Sequence, residues 1–181
     1  MHAHPGSTPT SPARTAILAA AFALLLSGPA FGQTDIVVSP DPLWSPSFGV
    51  ADLLGAAGTD FGTLSSAASQ VDIDIPALTV ANARWIVYVG KTDVSWNGSL
   101  SLWIARTGIG SGPGGGQISG PLNTFIQIPN VTFPGPPYGT ELYRGRRWRI
   151  DVPAQLQIQG LSVALGAATF TTTVTFTVTE Y

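Results

Sequence analysis

Thr169 to Tyr181 reads TFTTTVTFTVTEY. Phe170, Val174, Phe176 and Val178 occupy even positions, and every odd position from Thr169 to Thr179 is threonine. Successive side chains of a strand point to opposite faces, so this stretch is one long strand with an apolar face and a hydroxyl face. No lysine and no proline lies within residues 169–179, and Glu180 alone guards against edge-to-edge pairing. Such a strand is expected to sit within a sheet or to be paired by another molecule through its free N–H and C=O groups.

Working back towards the N-terminus, strand signals dominate and glycine and proline separate them. Residues 155–165 run with Leu156 and Ile158 in even phase, then Leu161, Val163 and Leu165 in odd phase. The change falls at Gly160, where a bulge is expected to restore the buried face. In Arg147–Val152, Trp148, Ile150 and Val152 share one face and Arg147, Arg149 and Asp151 the other. Phe125–Ile128 is a short strand beside a proline-rich excursion. Gly108–Gly116 reads as a flexible hairpin loop. Asn97-Gly98 is a strong hairpin-turn signal, with Leu100, Leu102 and Ile104 in phase beyond it. Arg84–Val89 (RWIVYV) is apolar on both faces and reads as a central strand. Val71-Asp72-Ile73-Asp74-Ile75 alternates, apolar in and acidic out. Pro40, Pro42 and Pro46 exclude a central strand nearby, residues 49–69 read as loop, and Val50–Leu54 allows one short helical turn.

No helical period of useful length separates these strands, so parallel βαβ units are not expected. The pattern predicts an all-β fold, an antiparallel immunoglobulin-like β-sandwich of about seven or eight strands, with a jelly roll as the alternative.

Residues 1–32 read as a secretory signal peptide. Arg14 is their only charge, residues 16–26 (AILAAAFALLL) form the apolar core, Ser27-Gly28-Pro29 breaks it, and Ala30-Phe31-Gly32 offers small residues for cleavage. The apolar run is too short to span a bilayer. Residues 33–181 then form a single domain, large enough for a core without metal or disulfide staples. Cysteine is absent from the whole chain, and both histidines (His2, His4) and the sole methionine (Met1) fall in the leader. Seven basic and ten acidic residues follow it, a net charge of −3, and Lys91 is the one lysine. Charged residues make up 10% of the chain, against about 25% in a typical soluble domain. So few charges repel neighbouring molecules weakly, which suits assembly or adhesion. The basic excess of a nucleic-acid binder is missing. The preference for arginine over lysine and the abundance of alanine and glycine point to a GC-rich bacterial genome.

The segment Leu165-Gly166-Ala167-Ala168-Thr169-Phe170, running into residues 171–181, resembles the C-terminal signature of bacterial fimbrial subunits and of the spore coat protein U group. Those families end in a small-residue turn with glycine, then an alternating Thr/Val strand that finishes near an aromatic residue. The resemblance implies an immunoglobulin-like sandwich, a last strand paired by a periplasmic chaperone, and assembly by strand donation between subunits. On that basis Phe170, Val174, Phe176 and Val178 mark an assembly strand. Unlike many such subunits, this chain has no cysteine pair.

Chemistry on a substrate finds little support in the residue types. Without histidine or cysteine beyond the leader, neither a Ser–His or Cys–His triad nor the usual zinc site forms there. No catalytic, cofactor-binding or metal-binding residue is assigned. Asp72 and Asp74 share a strand face at a spacing that the carboxylates of a glycoside hydrolase use in a cleft, but the simpler reading is a solvated face. Asp60 with this pair lacks the dense Asp/Asn/Gly loop of a calcium site. The GxGxxG match at Gly110–Gly115 has no following helix to offer a phosphate. Arg144, Arg146, Arg147 and Arg149 crowd into six positions, as a contact for polysaccharide, lipid headgroup or an acidic strand, or as a face paired with Asp72, Asp74 and Asp151. Trp85 and Trp148 fit core positions. Trp103, out of phase with its neighbours, and Trp96, beside the turn, are the tryptophans available for stacking on a ligand.

These readings converge on an exported, non-enzymatic structural or surface protein of the periplasm or cell surface, a fimbria-like subunit or extracellular matrix component. Its expected partners are copies of itself or a strand-donating protein, with no nucleic acid and no integral membrane segment after cleavage. The alternative is a secreted carbohydrate-binding module that takes polysaccharide through Trp96, Trp103 and the Arg144–Arg149 stretch.

Overall fold

The computed structural model describes residues 16–22, 34–40, 43–55, 60–76, 78, 82–114, 117–132 and 135–181. Residues 1–15 and 23–32 of the segment read as a leader lie outside the described residues.

Period-two alternation decides which strands form and which face they bury. Val71, Ile73 and Ile75 of β5 (Val71–Ile75) are fully buried, while Asp72 and Asp74 face outward and are half-buried. Trp85, Val87 and Val89 of β6 (Arg84–Asp93) and Leu102 and Ile104 of β7 (Ser101–Arg106) point inward in the same way. So do Val152, Ala154, Leu156 and Ile158 of β11 (Arg149–Gln159) and Phe170, Val174 and Phe176 of β12 (Phe170–Glu180). Each Val, Leu, Ile or Phe among them contributes about 1.5–3 kcal/mol on removal from water.

The strands form two sheets around one hydrophobic core to which both contribute. The first sheet runs β3 (Ser47–Phe48), β1 (Ala16–Phe22), β12, β6, β10 (Thr140–Arg146), β8 (Ile118–Ser119). The second runs β2 (Val37–Pro40), β5, β11, β7, β9 (Ile126–Gln127), with β4 (Leu64–Ser65) also beside β11. Every pairing is antiparallel except that of β1 with β12, which is parallel. The molecule is therefore an all-β, two-sheet sandwich. Arg106 of β7 and Tyr143 of β10 meet between the sheets, with the guanidinium 5.9 Å from the ring centre.

Several local expectations change. Asn97-Gly98 does turn, but β6 and β7 belong to different sheets, so it is an arch between layers and not a hairpin. Asn97 caps that arch by accepting from both the N–H and the hydroxyl of Ser99. At Gly160 no bulge forms. The strand ends there with φ +83°, a side chain would meet Ser99 O at 2.1 Å, and Val163–Leu165 continues as a 3-10 turn. Leu161 alone of the second phase is buried.

The bulge lies instead at the other end of β11, where the register with β5 shifts between Arg149 and Val152 and Asp151 has φ 55°. It inverts the alternation. Arg149 turns inward, and Trp148, expected in the core, is 41% exposed. Arg147 ahead of it also has positive φ, 64°, and its carbonyl accepts the indole N–H of buried Trp85 at 2.8 Å. A left-handed non-glycine residue costs about 1–2 kcal/mol, and this partly buried hydrogen bond helps hold it.

The glycine-rich loop is bound, not loose, over its described part. Ser111 exchanges backbone hydrogen bonds with Ile150 at 2.7 and 3.0 Å. Gly110 has φ +60° and approaches Ile150 O so closely that a Cβ would lie 2.3 Å away. Residues 49–69, read as loop, include the two-residue strand β4 and the 3-10 turn Val50–Asp52.

Candidate functional site

The long terminal strand occupies the place that its pattern demands and also presents an edge. Thr171 and Tyr181 bond through their backbones to Ser95 and Arg84 on the β6 side. Backbone groups alternate in direction along a strand, so odd residues of β12 face β6 and the N–H and C=O groups of even residues face away from it. Lys91, paired opposite Val174, agrees with this, because its own N–H and C=O bond to Pro129 and Val131 on its far side.

The outward-facing groups meet β1, in the register Leu18 with Phe170 through Phe22 with Val174. Among the described residues, pairing on that edge ends at Val174. Phe176 is buried beneath the edge beyond it and Val178 is half-buried against the core. The strand that covers Phe170–Val174 lies inside the apolar run of the leader-like segment.

A polar network around buried Lys91 and Thr172 locks the start of β12 to β6. Lys91 is 6% exposed. Its ammonium pairs with Asp93 and lies 5.4 Å from the centre of the Trp96 ring. Asp93 also accepts from Thr172 Oγ1 at 3.0 Å and from Asn130 Nδ2 at 2.8 Å. Thr172, fully buried, shares its hydroxyl with Thr92 O at 3.0 Å. Beside this network, Asp93, Thr92 and Asn130 join Thr173, Thr175 and Pro137 in lining an open trough of about 870 Å³ on the outer face of the first sheet.

The residues named as a ligand contact do not form one surface. Trp96 is half-buried against the core, and its indole N–H donates to Leu100 O at 2.9 Å. Trp103 does point away from the core, as its phase requires, and lies on the outer face of the second sheet with its N–H on Ser101 Oγ at 2.9 Å. Arg144 and Arg146 lie in the first sheet. Glu141 holds Arg144 by hydrogen bonds of 2.7 and 2.5 Å. That carboxylate, through its hydrogen bond first and its charge second, raises the Arg144 guanidinium further above its ordinary range. Arg146 reaches Asn82 O at 3.4 Å, and Arg147 donates to Asn82 Oδ1 at 2.9 Å and Gly114 O at 2.7 Å. Arg149 is buried. Asp74 is engaged by the backbone N–H of Asp151 at 2.7 Å.

Compared with protein-family models, characterised proteins and solved structures, the chain matches none.

The corner around Trp148 was hidden from pattern reading. Pro76, Leu78, Asn82 and Pro113 join Arg147 and Trp148 around a cleft of about 400 Å³. The positive φ of Arg147 turns the indole outward, and nothing in the local alternation signals it. Local alternation gives no sign of a role for Arg84 either. It stands directly opposite Arg146 in the pairing of β6 with β10. Among the described residues, no group of three or more His, Cys, Asp or Glu side chains is placed to hold a metal ion. Among the same residues no helix is long and apolar enough to cross a membrane.

Proposed function

We propose that this chain is an exported, non-enzymatic structural or surface protein that assembles by β-strand pairing along the outer edge of β12. The single observation that carries this reading is that the backbone groups of Phe170–Val174 on that edge are covered by residues 16–22. Those residues belong to the segment read as a leader. Removal of residues 1–32 on export uncovers a ready template above a buried apolar face, which suits an extended strand of another molecule. The absence of histidine and cysteine after residue 32 supports a role without catalysis.

Proline at an even position tests the edge. Val178→Pro removes an N–H that faces away from β6 and crowds the outer edge, so β12 keeps its ladder to β6. Thr177→Pro removes an N–H that faces β6 and should cost about 3 kcal/mol. Sedimentation velocity of the purified protein freed of residues 1–32, at about 0.5 M salt, where surface charges are screened, should show self-association in the wild type and its loss in Val178→Pro with the near-UV spectrum unchanged. Association of Val178→Pro equal to the wild type would show that the edge is not the contact.

The cleft at Trp148 favours a second reading, polysaccharide binding with Trp148 as the stacking surface beside the Arg147 guanidinium. Affinity electrophoresis in polysaccharide gels should then show a retardation that Trp148→Ala abolishes.

A further inference from the structure

We infer that the outer faces of the two sheets are complementary docking surfaces for a second copy of this chain, the arginine face of β6 and β10 seating on the aspartate face of β5 and β11. This rests on the assembly reading above and adds a second direction of contact to it.

The arginine face is built by register. Arg146 and Arg84 are directly paired across β10 and β6, and Arg144 lies two residues along on the same face. With Gln117, Ser119 and Tyr181 these three arginines surround a depression of about 200 Å³. Glu141 binds Arg144 and partly offsets the group. Glu180 pairs opposite Trp85, so alternation directs it to the inner face. Like charges set directly opposite on a sheet destabilise it by about 0.2–1 kcal/mol. Retaining them in a chain with few charges calls for an anionic partner.

The aspartate face lies on the other side of the sandwich. Asp72 and Asp74 point outward from β5, and Asp151 is exposed at the bulge of β11. Partial burial, then the charge of Asp151, then that of Asp74 holds the Asp72 carboxyl above its ordinary range. Three negative groups are thus gathered on one face and three positive groups on the opposite face. Each face carries a repulsion that the other would relieve. Because the two patches differ, their contact is heterologous and repeats from copy to copy without closing by two-fold symmetry. Edge pairing at β12 extends a sheet sideways, whereas this contact stacks sandwiches face on face. The two directions together build a matrix.

The experiment reads the face contact in the Val178→Pro background, where the edge contact is blocked. Two further variants are compared, Arg84→Glu/Arg146→Glu and Asp72→Lys/Asp74→Lys. Light scattering and sedimentation velocity are run at about 0.02 M and 0.5 M salt. The Val178→Pro chain should associate at low salt and weaken about tenfold or more at high salt. Each reversed variant alone should lose association by about tenfold or more, since it then carries two faces of one sign. An equimolar mixture should regain it, because every face meets its opposite. Neutral pairs, Arg84→Gln/Arg146→Gln and Asp72→Asn/Asp74→Asn, give the same loss should a reversal disturb folding, which near-UV circular dichroism reports. A Val178→Pro chain that is monomeric at low salt, a reversed variant that associates as before, or a mixture no larger than its components overturns the inference. Wild-type association at 0.5 M salt that Val178→Pro abolishes keeps edge pairing whatever the faces do. A wild type that is monomeric at both salt concentrations removes the assembly reading itself.

Discussion

Replacing Asp93 by asparagine takes one charge out of the network that fastens β12 to β6. The Lys91 ammonium is nearly enclosed, and Asp93 is its ion-pair partner, with 26% of the carboxylate side chain exposed. Removing one member of a buried pair costs about 3–5 kcal/mol, because the other charge is left without compensation. The partial exposure of Asp93 lowers that to about 2–3 kcal/mol, since water can approach the freed ammonium. Lys91→Met removes the buried cation and keeps an apolar stem. Asp93 then retains its bonds from Thr172 and Asn130, so the cost should be about 1 kcal/mol. The double variant should lose about 1–2 kcal/mol instead of the summed 3–4, a coupling of about 2 kcal/mol. For a chain of this size Asp93→Asn alone should lower Tm by about 5–10 °C. Urea unfolding followed by tryptophan fluorescence measures all four corners of the cycle, with Trp96 beside the ammonium as a local reporter. Additive losses within about 0.5 kcal/mol would refute the claim that the pair acts as a unit across the joint.

Two other substitutions test buried or crowded groups. Tyr143 is fully buried and its hydroxyl has no hydrogen-bond partner among the described residues, so Tyr143→Phe should be neutral or stabilise by up to about 1 kcal/mol in denaturant unfolding. Burial, outweighing the nearby Arg106 charge, also pushes the phenol far above its ordinary range. The unfolded phenol ionises first, so this contribution to stability is complete below pH of about 10 and is lost above it. Tyr143→Phe should therefore lose less stability than the wild type between about pH 10 and 11. Asp72 carries a raised pKa from burial first and then from Asp151 and Asp74, so its folded form resists ionisation and its contribution falls as pH rises through the carboxylate range. Asp72→Asn should raise stability by a few tenths to about 1 kcal/mol at pH 7. That gain should vanish under acid, where the wild-type carboxyl is itself protonated; a gain independent of pH would contradict the assigned cause.

The strands most legible in the sequence are those with one wet and one dry face. In β5 and β12 the alternation named the buried side chains, and in β7 it sent Trp103 outward. Pattern reading failed where backbone conformation broke the period. A bulge at Asp151 and left-handed Arg147 exchanged the faces of Trp148 and Arg149. Neither residue is glycine, and no turn dipeptide marks the place. Asn97-Gly98 was recognised as a turn, but a turn dipeptide does not say whether the chain returns to the same sheet or crosses to the other. The candidate site followed the same division. Phe170, Val174, Phe176 and Val178 were evident from their phase, whereas Arg84 was invisible as a neighbour of Arg146 because their contact depends on the register of β6 with β10.

The sequence alone therefore determined the all-β class, the two-faced character of the terminal strand, the absence of cysteine and the confinement of histidine to His2 and His4. These follow from side-chain period and residue type, which act locally along the chain. Tertiary structure alone decided which strands adjoin, and so it placed residues 16–22 on the free edge of β12, set Arg84 against Arg146 and gathered Asp151 with Asp72 and Asp74. Cross-strand neighbours are selected by backbone hydrogen bonding between segments distant in sequence, and a local alternation carries no record of that choice.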